Sequence, residues 1–87
     1  MTLKERFLIA LNTGELGHIE NGSITITLQE FKRCFSDVKT QYISSFLPAA
    51  TIEPGRVRMS DTKYLFRTGF GVYRLHEDLL STLDINI

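Results

Sequence analysis

The chain has 87 residues, 43% of them hydrophobic and 23% charged, which is enough for one small core and too apolar for a disordered polypeptide. Ten Lys and Arg balance ten Asp and Glu, so the basic excess that usually marks a nucleic-acid binder is missing, and the length excludes a two-domain enzyme. A single cysteine, Cys34, excludes an internal disulfide or a thiolate metal cluster. No apolar run approaches the roughly 20 residues that cross a bilayer, and no basic stretch followed by an apolar block opens the chain, so a cytoplasmic location is expected.

Thr2 and Glu5 stand at capping-box spacing, and Leu3, Phe7, Ala10 and Leu11 recur at helical intervals before Gly14. The spacing predicts a helix from Thr2 to about Thr13. Gly14 to Gly22 holds three glycines and the pair Asn21-Gly22, and reads as a connecting loop. Ser23 to Ile26 alternates polar and β-branched apolar residues, the pattern of a short strand. Thr27 and Glu30 repeat the capping-box spacing for a second helix, with Leu28, Phe31 and Phe35 on one side, Cys34 beside them and Ser36-Asp37 as its end. Asp37 is also placed to cap a third helix from Val38 to about Leu47, whose inward stripe is Ile43, Phe46 and Leu47 and which Pro48 should stop. So short a connection makes the two helices cross steeply, as in a helix-turn-helix.

Residues 48–62 follow no clear period; Pro54-Gly55 reads as a turn and Arg56 to Met59 as an extended piece without a place in the fold. Lys63 to Arg67 and Val72 to His76 flank Thr68-Gly69-Phe70-Gly71 and read as a hairpin. The expected register pairs Arg67 with Val72, Phe66 with Tyr73 and Leu65 with Arg74. Tyr64, Phe66, Tyr73 and Leu75 then share a buried face, and Lys63, Leu65, Arg67, Val72, Arg74 and His76 share the other. Phe70 at the tip is expected to tuck over the hairpin. Leu79, Leu80 and Leu83 suit a short closing helix; the apolar stretch from Leu79 to Ile87 is expected to contribute to a weak homodimer, with 84–87 frayed. The chain is thus expected to be one α+β domain spanning 1–87.

Charge is segmental. Lys39 to Arg74 carries six basic residues, Lys39, Arg56, Arg58, Lys63, Arg67 and Arg74, against Glu53 and Asp61. The stretch before it is slightly acidic, and the stretch after it has Glu77, Asp78 and Asp84 with no Lys or Arg. A positive middle between acidic flanks can present a basic surface to a polyanion or stay a solvated mixed-charge surface. His18 and His76 have no second ligand at a metal-binding spacing, and nothing near Cys34 in sequence would activate its thiol. No cofactor or metal is expected, nor catalysis, because no nucleophile with an orienting base can be drawn.

The order helix, strand, helix, tight turn, helix, hairpin resembles the winged helix-turn-helix fold over Thr2 to His76. The closer resemblance is to small winged-helix domains that accompany restriction endonucleases and mobile DNA-processing systems. It is carried by Ile26-Thr27-Leu28-Gln29-Glu30-Phe31 at the second helix and by the hairpin run Tyr64-Leu65-Phe66-Arg67-Thr68-Gly69-Phe70-Gly71-Val72-Tyr73-Arg74-Leu75. The resemblance implies contact with double-stranded DNA through Val38 to Leu47 and through the hairpin, in a small transcription regulator or an accessory of such a system. On the third helix Gln41, Ser44 and Ser45 point outward with Thr40 and Tyr42 on the shoulders; none is Arg or Lys, so affinity would come from Lys39, Lys63, Arg67 and Arg74, with Arg56 and Arg58 as further phosphate contacts. A protein-interaction adaptor on the same fold stands as the alternative, with Phe70 or the apolar C-terminal stretch as its docking surface.

Overall fold

Capping decides where the helical half of the molecule begins. In the computed structural model, which describes residues 2–83, the Thr2 hydroxyl accepts the Glu5 amide at 3.1 Å and the Glu5 carboxylate accepts the Thr2 amide at 3.2 Å. The helix α1 (Leu3–Thr13) therefore starts with its first orphan amides satisfied and ends on Gly14, whose φ of 82° suits glycine. The second spacing gives half of this arrangement: the Thr27 hydroxyl accepts the Glu30 amide at 3.1 Å and starts α2 (Leu28–Cys34), while the Glu30 carboxylate accepts from the Thr27 hydroxyl at 3.0 Å and from the Gly17 amide at 3.2 Å.

The segment expected to be a loop holds a strand. β1 (His18–Glu20) pairs antiparallel with β2 (Ser23–Thr27), turning through Asn21 and Gly22 with φ of 53° and 76°. Positive φ at both central residues makes this a two-residue turn that matches strand twist. The turn signal at Asn21-Gly22 is therefore a hairpin signal, and only the three-residue length of β1 hides its alternation. β3 (Leu65–Gly69) and β4 (Val72–Leu75) complete a four-stranded antiparallel sheet in the order β1-β2-β4-β3.

The third helix starts later and ends later than its sequence suggests: α3 runs Thr40–Ala49, with Lys39 at its N-cap and no side-chain cap. Asp37 is engaged elsewhere, accepting a hydrogen bond at 3.0 Å from the Arg6 guanidinium of α1. That bond holds the Asp37 carboxyl below, and the Arg6 guanidinium above, its ordinary pKa. Pro48 lies inside the last turn instead of stopping the helix. Burial of Leu47 and Ala50 in the core outweighs the single backbone bond a proline forgoes there. Beyond α3 the chain runs along β3: Thr51 forms a parallel bridge with Leu65, and the Ile52 amide donates to the Leu65 carbonyl at 2.7 Å.

In the hairpin the structure shifts the expected register by one residue. Leu65 faces Leu75, Phe66 faces Arg74 and Arg67 faces Tyr73, with an irregularity between Arg67 and Gly69. Of the two turn glycines only Gly71 adopts positive φ, so the turn is centred on Phe70-Gly71 and Thr68 becomes the extra residue of a bulge. Leu65, Tyr73 and Leu75 are buried in the core, whereas Phe66 lies half-buried on the opposite face with Arg74. Tyr64 is buried as expected, but it precedes the strand.

The core sits between α1, α2, α3 and the inner sheet face. Phe46 stacks on Phe31 and meets Phe7 edge-on, both at 5.3 Å between ring centroids, and Ile24, Ile26, Leu47, Leu65 and Leu75 close around them. α4 (Glu77–Leu80) adds Leu79 to this core, and Leu80 and Leu83 pack partly against it. Residues 84–87, expected to fray and to serve a dimer, lie outside the described residues. Four helices and a four-stranded antiparallel sheet among the described residues make an α+β domain compatible with a winged helix but not specific to one. No described helix is long and apolar enough to cross a membrane.

Candidate nucleic-acid interface

The outward face of α3 is built as its periodicity predicts. Ile43 and Leu47 are buried and Phe46 half-buried, so Thr40, Gln41, Ser44 and Ser45 are all exposed, with Tyr42 beside them at 57% exposure. The Ser45 hydroxyl donates back to the Gln41 carbonyl at 3.0 Å, which leaves it only acceptor capacity toward a ligand. Gln41 and Ser44 keep their donors and acceptors. The face is polar and uncharged, and Lys39 supplies a cation only at its start.

The basic residues do not gather on one face of the hairpin. The register puts Arg67 on the side of Tyr73 and Arg74 on the side of Phe66, so the two arginines project from opposite faces of the sheet. Arg67, past the end of the core, donates from Nε to the Gly69 carbonyl at 3.3 Å and lies 5.8 Å from the Phe70 ring centre. Arg74 lies over the Phe66 ring at 4.8 Å and lines a shallow recess with Glu20, Ser23 and Thr25. Lys63 is in neither group. It precedes β3, and its ammonium donates toward the Ala49 and Thr51 carbonyls at 3.4 and 3.5 Å, at the negative end of α3.

Arg56 is an exposed partner of Glu53 at 3.5 Å and shares a recess with Phe66 and Arg67, while Arg58 is exposed in the loop with no side-chain partner among the described residues. Lys32 and Arg33, at the end of α2, are also exposed and have no ion-pair or hydrogen-bond partner among the described residues, like Lys39 five residues beyond Cys34. Lys32, Arg33 and Lys39 flank the α2–α3 connection. Sequence reasoning passed over the first two because Glu5, Glu15, Glu20, Glu30 and Asp37 cancel them in a segmental count; their place in the last turn of a capped helix was the available signal.

Phe70 is 95% exposed, so the expected tucking does not occur. The turn itself is held, because the Gly71 carbonyl accepts the Leu28 amide at 2.8 Å at the start of α2, and this leaves the preceding ring pointing to solvent. His76 is the opposite case. It is 3% exposed, stacks on Phe66 at 5.3 Å, donates from Nε2 to the Val57 carbonyl at 2.8 Å and accepts the Asp78 amide on Nδ1 at 2.9 Å. The imidazole thereby caps α4 and ties down the loop that precedes β3. Cys34 is half-buried, and burial pushes its thiol pKa up. Among the described residues no group of three His, Cys, Asp or Glu side chains is placed to hold a metal ion.

No protein-family model matches this chain, and no curated protein or solved structure matches it either.

Proposed function

We propose that this domain is a non-catalytic, DNA-binding winged-helix module, a small regulator or the DNA-contacting accessory of a restriction or mobile-element system. The observation that carries the reading is the α2–α3 pair: α3 buries Ile43 and Leu47 and leaves a polar face of Thr40, Gln41, Ser44 and Ser45 exposed, behind a connection flanked by the exposed cations Lys32, Arg33 and Lys39. The strand order β2-β4-β3, with β2 before these helices and the β3–β4 hairpin after them, supports it, since it is the sheet a winged helix builds. In this reading the three cations and the exposed amides at the start of α3 hold phosphates, and Gln41 with Ser44 meets base edges.

Binding to random duplex DNA, measured across salt concentrations, tests the proposal. Three phosphate contacts give a slope of log affinity against log salt of about −3, and Lys39→Ala reduces it by about one. Gln41→Ala leaves the slope in place and alters sequence preference. A slope near zero rejects the DNA reading. The adaptor reading then leads, and a specific observation favours it: a 95% exposed Phe70 on a chain with no net charge and no cation on the outward face of α3.

A further inference from the structure

The two edges of the sheet are treated differently. The β3 edge is covered at its base by Thr51 and Ile52 and distorted near its tip by the bulge at Thr68, and both devices discourage pairing with another chain. The β1 edge has neither. Within His18-Ile19-Glu20 there is no proline, bulge or lysine, and Ile19 is 54% exposed.

The β1–β2 register determines what that edge offers. Glu20 and Ser23 close the two-residue turn and exchange backbone hydrogen bonds, so the alternate residue, Ile19 opposite Ile24, turns its own N–H and C=O away from β2. Ile19 is therefore the residue of β1 whose backbone groups face out along the edge. Its side chain lies on the face of Ile24, beside an apolar recess of about 220 Å³ lined by Leu11, Leu16 and Ile24. His18 and Glu20 share the other face, 3.2 Å apart, and His18 also approaches Glu30 at 3.4 Å.

We propose that two copies of this chain associate by pairing their β1 edges antiparallel about a two-fold axis at Ile19. In this arrangement the two Ile19 residues exchange both outward backbone bonds, and the sheet runs continuously from one copy into the other. Antiparallel pairing centred on Ile19 sets His18 of each copy opposite Glu20 of the other, twice, and sets the two Ile19 side chains together over the apolar recesses. Backbone geometry and side-chain pairing select the same centre independently, because a shift by one residue loses both the outward bonds and the His18–Glu20 pairs. The inference stands on β1 alone and does not depend on DNA binding. The contact is short, so the dimer is weak and concentration-dependent.

Sedimentation velocity of the whole chain between about 10 μM and about 1 mM tests it, a range that spans weak association. The weight-average sedimentation coefficient rises with concentration, and the Ile19 amide becomes protected from hydrogen exchange as it does. Ile19→Lys stays monomeric throughout while melting like the parent. Glu20→Lys weakens association about tenfold by removing the acceptor for His18 across the axis, and adding His18→Glu, which sets opposite charges there, recovers it. A parent that remains monomeric at about 1 mM overturns the proposal and leaves the edge to a strand of another protein. So does an Ile19→Lys variant that dimerises as well as the parent.

Discussion

The two faces of the β3–β4 hairpin carry nearly the same number of large side chains and are held in different ways. The inner face places Leu65, Tyr73 and Leu75 at 0%, 6% and 0% exposure against three helices. The outer face is only partly covered, with Phe66 and Arg74 half-exposed. There Phe66 lies between Arg74 and His76, and His76 reaches a backbone carbonyl of the loop before the hairpin. One face is stabilised by apolar burial, the other by a short stack of a cation, an arene and an imidazole. This difference explains why a run with aromatic residues on alternate positions settles with Phe66 away from the core.

Truncation of Leu65 separates the faces most sharply. Leu65→Ala removes a fully buried side chain and should cost about 2–5 kcal/mol, a large part of what a domain of this size possesses. Phe66→Ala, although the side chain is larger, should cost only about 1–2 kcal/mol because the ring is half-exposed. Chemical denaturation of both variants checks the order, and a Phe66 variant less stable than the Leu65 variant would contradict the register.

His76→Ala should come next, at about 1–3 kcal/mol, since it orphans the Val57 carbonyl and uncaps the Asp78 amide at once. Its further signature is local: hydrogen exchange should accelerate in residues 54–62 and in α4 while the amides of α1 stay protected. Uniform acceleration would mean that the outer stack supports the whole fold and not only the loop.

Tyr64, at the threshold of the inner face, makes burial readable by pH. Burial pushes its phenol pKa from 10.0 up to about 12, so the folded protein holds that proton more tightly than the unfolded chain. Its contribution to stability is complete below about pH 10 and is lost as pH rises through about 12. Thermal unfolding followed between these values should show falling stability in the parent and a flatter profile in Tyr64→Phe. Equal slopes would show that other groups carry the alkaline loss.

How much of this was legible depended on whether the signal was local. The two helices opened by Thr2 and Thr27 could be drawn to within a residue at their starts, because the bond from a cap hydroxyl to the amide three residues on is completed inside four residues. The buried stripe of α3 was equally plain in Ile43 and Leu47. Its N-cap was not: Asp37 has the right chemistry, but Arg6, thirty-one residues away in sequence, captures it. β1 was missed because three residues are too few to show alternation. The hairpin faces were inverted on one strand because the position of the turn depends on which of Gly69 and Gly71 takes positive φ, and a run containing both leaves two registers open. That one-residue choice also decided the candidate site, since it moved Arg67 and Arg74 from a shared face to opposite faces. Lys63 was displaced with them, because β3 begins two residues after it and α3 ends within its reach.

The smallest expected effect isolates the contact that distinguishes the outer face. Arg74 stands 4.8 Å from the Phe66 ring centre, and its cation–π attraction at a partly exposed site is worth about 0.5–1 kcal/mol. Arg74→Ala alone also removes the apolar part of the side chain from the sheet, so the single variant does not measure the attraction. A double-mutant cycle of Arg74→Ala with Phe66→Leu does: the coupling should be about 0.5–1 kcal/mol and persist in high salt, because an arene offers no ion to screen. Arg67, whose nearest ring is the solvent-exposed Phe70 at 5.8 Å, should couple to it by less than half that amount. If Arg67 and Phe70 couple as strongly as Arg74 and Phe66, the tip of the hairpin is ordered to the same degree as its base, and the contrast between the two faces would lie in burial alone.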